Sequence, residues 1–379
     1  MIALGRALSR RGHAVTLQTW RRWQEDVERE GMAFAAAPEY HVFPTRERPL
    51  TPYQAVERAT RETISLVREV APAVVIADIL TLAPALAGEL EGVPVGTVIP
   101  HLDPRMPAGS APYSCGARLP RTHAGRALWR GADPLLRHGL QIGRRQLNET
   151  RRRLGLPALE RVHGGISPAL ALVATFPQLE YPRAWPPGTH VVGPLMWEPP
   201  SPDVDIPPGS EPLVLIAPST SQDPGQTLLR GALAGLSGLP VRVLASANRQ
   251  IPADLPVPRN ARLVDWLSYS RAMPACDVVV CHGGHGTVAR ALASGCAVVI
   301  VPAGGDMYEN GARIEWAGVG VRLPARFAGA RGLALAVGRA LARPRLRDGA
   351  RGLQAWAARH DGPARAADLV EAYAARGTR

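Results

Sequence analysis

Residues 276–311, CDVVVCHGGHGTVARALASGCAVVIVPAGGDMYENG, determine the fold that the sequence predicts. Residues 277–281 are a short run rich in valine, as in strands that are buried on both faces of a sheet. A helix is expected from about residue 287 to residue 293, because Ser294-Gly295 is a typical helix end. A second apolar run at 297–301 predicts another buried strand. The stretch therefore indicates a strand–loop–helix–strand unit of a parallel α/β sheet.

The loop between the first strand and the helix has the composition of an anion-binding loop. Gly283, Gly284 and Gly286 would let an anion approach the backbone N–H groups at the helix N-terminus, and His282 adds a side-chain donor. The alternative is that the glycines serve only to form a tight turn, without any bound anion. The loop matches neither G-x-G-x-x-G nor the P-loop, whose lysine is absent from the whole chain. The sequence predicts a phosphate-binding loop of another kind.

Residues on either side of this loop suit the other parts of a nucleotide-sugar. Trp266 lies sixteen residues before His282, and Asp306 and Asn310 follow the second strand. An aromatic ring, a phosphate loop and an acid–amide pair match the base, the diphosphate and the sugar. We therefore expect a nucleotide-sugar site.

The run VDWL…ACDVVVCHGGHGTVARALASG…VPAGGDMYENGARI resembles the donor-site signature of bacterial family-1 glycosyltransferases. RALSRRGHAVTLQT, VVIADILTLAPALAGELEGVPVGTVIP and HVVGPLMWEPP fit the same family, so the resemblance covers most of the chain. The resemblance is to metal-independent enzymes of the macrolide and antibiotic type, which act on lipophilic acceptors. It implies an α/β fold of the GT-B class, with two Rossmann-like parallel-sheet domains across a cleft and a C-terminal helix that crosses back.

A proline-rich segment separates the two expected domains. Residues 197–212, WEPPSPDVDIPPGSEP, contain six prolines and are predicted to be a linker. We expect residues 1–196 to form the acceptor-binding domain and residues 213–355 the donor-binding domain. Residues 356–379 would form the helix that packs on the N-terminal domain.

The resemblance implies a role for each residue around the phosphate loop. His282 and the N–H groups of residues 284–287 would hold the diphosphate, Trp266 would flank the base, and Asp306 and Asn310 would contact the sugar. Trp266 could equally be a buried residue at a strand end, and the Ser-Thr-Ser turn at 219–221 could only cap a helix. The predicted donor set is Ser219, Thr220, Ser221, Trp266, Leu267, whose backbone would bond the base edge, His282, Gly283, Gly284, Gly286, Thr287, Asp306 and Asn310.

Two residues depart from the family pattern on the donor side. Met307 stands where the family usually has glutamine, which removes a polar contact to the sugar. Arg290 stands where many members have a glutamate that bonds the ribose. Met307 favours a less hydroxylated sugar, such as a deoxysugar.

The sequence lacks part of the motif that would provide the catalytic base. The family begins with a strand and a G-H-x-x-P loop whose histidine deprotonates the acceptor, and the present sequence starts inside the helix that follows. We therefore expect this 379-residue chain to transfer sugar slowly or not at all. Asp78, at the family's position for the aspartate that orients the histidine, and His101, which ends the next strand, are the candidate catalytic residues. Asp78 could instead cap the next helix, and His101 could only line the pocket.

Composition excludes several other classes of function. The net charge is +12 and all 44 basic residues are arginine, but no basic helix carries the interleaved aromatics of a nucleic-acid site. The four cysteines have neither metal nor C-x-x-C spacing, which suits a reducing cytoplasm. No apolar run approaches the ~20 residues of a membrane span. The arginine-rich stretch 119–154 is expected to be a solvated helix face or a weak peripheral contact with an anionic membrane.

The sequence and the resemblance predict an inverting glycosyltransferase. It would move a hexose or deoxyhexose from UDP- or dTDP-sugar to a hydroxyl of a small lipophilic acceptor, as a monomer or homodimer, with no metal and no cofactor beyond the nucleotide-sugar. One alternative is a catalytically impaired auxiliary or binding protein. Another is a sugar-nucleotide epimerase, which needs acid and base carboxylates that the sequence does not show.

Overall fold

The computed structural model describes residues 1–38, 52–201, 204–219, 225–247, 251 and 254–377. Strands and helices alternate along most of this length, in two halves separated by the linker. The elements of the N-terminal half are α1 (Ile2–Ser9), β1 (Thr16–Thr19), α2 (Gln24–Arg29), β2 (Ala33–Ala36), α3 (Pro52–Val70), β3 (Val75–Asp78), α4 (Leu82–Leu90), β4 (Val95–Ile99), α5 (His123–Arg153), β5 (Ala171–Val173) and β6 (Thr189–Val191).

The C-terminal half begins directly after the linker. Its elements are β7 (Leu213–Ala217), α6 (Thr227–Leu236), β8 (Arg242–Ser246), β9 (Ala261–Val264), α7 (Tyr269–Ala272), β10 (Val278–Cys281), α8 (His285–Ala293), β11 (Ala297–Ile300), α9 (Asp306–Ala317), β12 (Gly320–Arg322), α10 (Ala330–Ala342), α11 (Pro344–Ala357) and α12 (Gly362–Gly377).

The C-terminal domain is built on a six-stranded parallel sheet in the order β12-β11-β10-β7-β8-β9. Strands β7, β10 and β11 are buried along their whole length, as their continuous apolar runs predicted. One core cluster covers the sheet face that carries α8 and α11, and a second covers the face that carries α6 and α10. The predicted doubly wound α/β architecture is confirmed.

The N-terminal domain contains two parallel sheets, β1-β2 and β3-β4-β5-β6. Strands β1 and β3 therefore each have one edge without a strand partner among the described residues. Unpaired edges of this kind leave backbone donors and acceptors unsatisfied.

The last helix of the chain belongs structurally to the N-terminal domain. Helix α12 packs against α1, and Ala366, Ala367 and Val370 lie in one core cluster with Leu4 and Val98. The chain thus crosses back from the C-terminal domain after α11.

Helix α5 is 31 residues long, and most of it is exposed. Only its last turns are buried, as at Leu147, whereas Leu128 and Leu135 are 73% and 76% exposed and Ile142 is also exposed. These three residues are seven positions apart and therefore share one face of the helix. Among the described residues, no helix is long and apolar enough to cross a membrane.

Candidate functional site

The loop between β10 and α8 contains two glycines that no other residue can replace without movement. Gly283 has φ of +92°, and a Cβ there would lie 2.6 Å from Cγ2 of Ile300. A Cβ on Gly284, the N-cap of α8, would lie 2.5 Å from Nε2 of His282. The loop backbone is therefore held close to the His282 ring and to β11, in a conformation that only glycine tolerates.

Helix α8 begins at His285, two residues earlier than predicted. Gly286 and Thr287 consequently lie in its first turn rather than in the preceding loop. The first turn of a helix presents backbone N–H groups without helical partners and carries partial positive charge. Gly286 is exposed and Thr287 is half-buried, so the first turn of α8 reaches the protein surface.

His282 lies beside this helix start with an unsatisfied ring nitrogen. Its Nδ1 is buried and has no hydrogen-bond partner among the described residues. Burial lowers the pKa of His282, which the Ala217 carbonyl and the Asp306 carboxylate only partly offset. An approaching phosphate would favour the protonated ring, which carries an N–H on both nitrogens. The arrangement matches a phosphate oxygen at Nδ1.

The Ser-Thr-Ser turn at 219–221, which was predicted to belong to the donor site, lies partly outside the described residues. Ser219 follows β7, which pairs with β10, so the two strand ends share one edge of the sheet. Thr220 and Ser221 are outside the described residues, and their donor roles stay predictions.

Trp266 is exposed at the end of the edge strand β9. Its side chain is 37% exposed, so the interpretation of a buried tryptophan at a strand end is wrong. Leu267, the next residue, is buried in the core of the domain. A partly exposed indole next to a buried residue that anchors the chain suits contact with a nucleobase.

Asp306 and Asn310 lie on the same helix but in different surroundings. Asp306 is the first residue of α9 and is partly exposed at the cleft. Asn310 is buried, and its Nδ2 donates to the Gly283 carbonyl at 2.9 Å while its Oδ1 lies 3.0 Å from Nδ1 of His285. The predicted contact of Asn310 with sugar hydroxyls is therefore corrected: both ends of its amide hold the phosphate loop.

His285 was not singled out in the sequence, although it is the second histidine of the loop motif. Its ring is buried, and its Nε2 lies 3.3 Å from the carbonyl oxygen of Ala174, at the end of β5 in the N-terminal domain. Burial lowers the pKa of His285, and the hydrogen bond to Asn310 opposes this only in part. His285 thus joins the phosphate loop to the other domain.

The two departures from the family pattern have distinct surroundings. The Cβ of Met307 lies 3.4 Å from where a side chain on Gly283 would begin, so an apolar group borders the phosphate loop. Arg290 donates to the Trp197 carbonyl at 3.1 Å and lies 4.0 Å from Glu198. Arg290 therefore fastens the linker to the donor domain.

Asp78 and His101 follow neighbouring parallel strands but have different partners. Oδ1 of Asp78 accepts a hydrogen bond from the Leu80 N–H at 2.8 Å, so the carboxylate stabilises the turn before α4. Nδ1 of His101 lies 2.7 Å from the Leu102 carbonyl and 3.2 Å from the Tyr113 hydroxyl. A carbonyl can only accept, so the Nδ1 proton is directed to it and Nε2 keeps its lone pair.

Tyr113, which the sequence reasoning missed, connects this region to the donor side. Its hydroxyl contacts His101, and burial raises its pKa, with the Asp306 carboxylate contributing in the same direction. The segment between β4 and α5 that carries Tyr113 also reaches the C-terminal domain, where Arg322 donates to the Gly116 carbonyl. His101 and Tyr113 are therefore in contact within a segment that reaches the C-terminal domain.

No cluster of three histidine, cysteine or carboxylate side chains that would hold a metal occurs within the described part of the chain. Cys276, Cys281 and Cys296 are buried free thiols, and Cys115 is an exposed free thiol.

Comparison with known proteins places these features in context. Residues 233–373 match the family model described as "Erythromycin biosynthesis protein CIII-like, C-terminal domain". The chain is 27% identical to the 4'-demethylrebeccamycin synthase of Lentzea aerocolonigenes over 98% of this chain and 95% of the relative. It is 30% identical to a PGL/p-HBAD biosynthesis glycosyltransferase of Mycobacterium tuberculosis over 81% of this chain and 70% of the relative.

Solved structures share the fold over nearly the full length. The spinosyn rhamnosyltransferase SpnG, determined with thymidine diphosphate, superposes with a TM-score of 0.69 at 20% identity, covering 98% of this chain and 95% of SpnG. The likeness confirms the predicted GT-B fold.

Proposed function

Because the chain belongs to the family of bacterial glycosyltransferases that these relatives represent, we propose that it transfers a hexose or deoxyhexose from a nucleoside diphosphate to a hydroxyl of a small lipophilic acceptor. The observation that carries the donor half of this proposal is the unsatisfied Nδ1 of His282 beside the N-terminus of α8. Buried polar atoms are normally paired, and a histidine ring at the positive end of a helix is suited to donate to a phosphate oxygen.

The nucleotide is proposed to be UDP or dTDP. The exposed indole of Trp266 would stack on the pyrimidine, and the Leu267 backbone would bond the base edge. The thymidine diphosphate bound to SpnG supports the same class of ligand. A helix N-terminus alone contributes only about 0.3–1 kcal/mol to binding an anion, so the His282 bond and base stacking must supply most of the affinity.

The sugar is proposed to be a deoxyhexose. Asp306 is the polar group at the start of α9 that is available for a sugar hydroxyl, whereas Asn310 is committed to the phosphate loop. The apolar Met307 borders the same space. An apolar wall would leave the hydroxyl of a fully hydroxylated sugar without a partner and would therefore favour a sugar that lacks it.

The transfer is proposed to be inverting, with His101 as the base. Inversion needs one in-line attack by an acceptor hydroxyl whose proton is removed as the bond forms. Nε2 of His101 has the required lone pair, because Nδ1 is directed to the Leu102 carbonyl. The Asp78 carboxylate accepts a hydrogen bond from the Leu80 N–H and so stabilises the turn at the same edge of the sheet.

The acceptor is proposed to be lipophilic, and α5 supports this. Leu128, Leu135 and Ile142 form an exposed apolar stripe, and the helix carries eight arginines against two acidic residues. Like charges disfavour pairing of this stripe with a second copy, whereas an anionic lipid surface complements it. Gly109, before α5, contacts Arg126, so the exposed end of the helix begins near the segment that reaches the donor domain.

A catalytically impaired binding protein is the second candidate. It is favoured by the two separate N-terminal sheets and by the engagement of Asp78 with backbone rather than with a histidine. The same donor site would then bind nucleotide-sugar without rapid transfer.

Isothermal titration of the 379-residue chain with UDP and dTDP, followed by a transfer assay on a panel of phenolic and macrolide aglycones, tests the proposal. We expect binding of at least one nucleotide, and weakening in His282→Ala but not in His360→Ala, since His360 bonds the Trp356 carbonyl and stacks on the Trp356 ring, outside the donor site. Product formation supports the transferase, and binding without product supports the impaired protein. Failure of both nucleotides to bind refutes the donor site.

A further inference from the structure

Arg313 of α9 is the largest side chain that is completely buried, with 0% exposure. A guanidinium remains charged at every physiological pH, so burying it is costly unless every donor has a partner. Arg313 lies in the C-terminal domain, but most of its partners belong to the N-terminal domain. The residue therefore connects the two halves of the protein through an interior contact.

The partners of Arg313 surround the guanidinium on all sides. Its Nε donates to Glu309 of the same helix at 2.7 Å, and its Nη1 donates to the Leu179 carbonyl at 2.8 Å and to Glu180 at 3.2 Å. The guanidinium also stacks 3.6 Å from the ring centre of Tyr181. Leu179, Glu180 and Tyr181 form one segment of the N-terminal domain, between β5 and β6.

Glu180 is itself held rigidly by its own domain. Its Oε1 accepts the Asp103 backbone N–H at 2.8 Å, and its Oε2 accepts from Arg183 at 3.0 Å. A carboxylate fixed at both oxygens offers Arg313 a single position. The contact therefore defines where α9 lies relative to the N-terminal domain.

The other end of α9 forms part of the donor site. Asp306 begins the helix, seven residues before Arg313, and Asn310 bonds Gly283 and His285 of the phosphate loop. His285 in turn contacts the Ala174 carbonyl of the N-terminal domain. Helix α9 and the loop are thus attached to the opposite domain at two separate points.

We propose that Arg313 is a positioning residue that sets the sugar side of the donor site by fastening α9 to the Leu179–Glu180–Tyr181 segment of the N-terminal domain. The inference rests on the proposed function, because it takes the ligand at Asp306 to be the sugar of a nucleotide-sugar. The nucleotide and the sugar of the donor would be recognised in different ways. Trp266 and α8 hold the nucleotide with groups of the C-terminal domain, whereas the sugar contact depends on the seating of α9 against the N-terminal domain.

Weakening the contact of Arg313 with the N-terminal domain should reduce the affinity for the nucleotide-sugar more than the affinity for the free nucleotide. Arg313→Lys keeps the charge but lacks the planar guanidinium that bonds Glu309, the Leu179 carbonyl and Glu180 at once and lies over the Tyr181 ring. We expect the affinity for dTDP-rhamnose, a nucleotide-sugar with a deoxyhexose, to fall about 10- to 100-fold, since a displacement of ~1 Å in a positioning group has effects of this size. We expect the affinity for the free nucleoside diphosphate to fall by a smaller factor, because its own contacts come from α8, His282 and Trp266, and α9 reaches the phosphate loop only through Asn310.

Titration calorimetry on the full chain measures both affinities without requiring turnover. Glu180→Gln perturbs the same contact from the other domain, and we expect the same selective loss from it, which keeps the test informative if Arg313→Lys does not fold. Arg118→Ala is the matched control: Arg118 also crosses to α9, but its pair with Glu315 is 3.9 Å long and largely exposed. Exposed pairs contribute little, so no change is expected.

Each result has a defined meaning. Selective loss of nucleotide-sugar binding in both variants supports the positioning role. Equal loss of sugar-bearing and free nucleotide, or no loss of either, overturns it. If the unaltered protein binds neither UDP nor dTDP, the proposed function fails, and that outcome is distinct from a failure of the Arg313 inference alone.

Discussion

Replacement of Gly284 by alanine provides a direct test of the phosphate site. The new Cβ would lie 2.5 Å from Nε2 of His282, and an ordinary contact begins near 3.4 Å, so the imidazole must move by about 0.9 Å. The obstacle is the end of a side chain rather than backbone, so the domain should remain folded. The His282 ring, however, would leave its present position beside the start of α8.

The expected cost follows from the bond that is lost. A hydrogen bond to a charged group contributes about 1.5–3 kcal/mol, which corresponds to an increase of about 10- to 150-fold in the Kd of the nucleoside diphosphate. Gly338→Ala is the matched control, because no atom lies within 4 Å of its Cβ position and the residue is inside α10, outside the phosphate loop. Alanine there should raise the helix stability by up to ~1 kcal/mol and leave the Kd nearly unchanged.

Calorimetric titration with dTDP and UDP, together with thermal unfolding, measures both quantities. If Gly284→Ala acts through the His282 ring, the double variant with His282→Ala should lose no more affinity than His282→Ala alone. Additive losses, or a Gly284→Ala protein with the affinity of the unaltered chain, would refute this account of the site. An equal loss in Gly338→Ala would show that the change in affinity does not originate in the phosphate loop.

Three further predictions concern stability, the base and the exposed helix. Burial lowers the pKa of His282 and His285, so the unfolded chain binds protons that the folded chain does not, and the free energy of unfolding should fall below pH ~6.5 by up to about 1.4 kcal/mol per pH unit for each histidine. Urea unfolding at several pH values checks this, and His282→Asn should flatten the dependence. His101→Gln should reduce any measurable transfer by about 10²- to 10⁴-fold without weakening dTDP binding, and unchanged transfer would exclude His101 as the base. Leu128→Glu with Leu135→Glu should abolish co-sedimentation with phosphatidylglycerol vesicles, with phosphatidylcholine vesicles as the control, and sedimentation that persists would contradict the membrane contact.

Local patterns in the sequence predicted the architecture well. Uninterrupted apolar runs at β7, β10 and β11 identify strands buried on both faces, because no position in such a strand meets water. The boundary of α8 was placed two residues late, since its N-cap Gly284 has no side-chain cap to mark it.

Contacts between distant parts of the chain could not be predicted from local sequence patterns. Asn310 was assigned to the sugar because it follows Asp306, but its partner His285 is 25 residues away and holds it in the interior. Tyr113 was overlooked because nothing in its local sequence indicates that it meets His101.

The sequence by itself determined the layered α/β fold and the position of the phosphate loop, because burial periodicity, glycine conformation and helix ends are properties of short segments. The tertiary structure decided which polar residues bind ligand and which join the domains. His285 reaches a carbonyl 111 residues away and Arg313 one 134 residues away. Partners at such separations meet only after the two domains have packed, and the free energy of burying an arginine or a histidine depends on them.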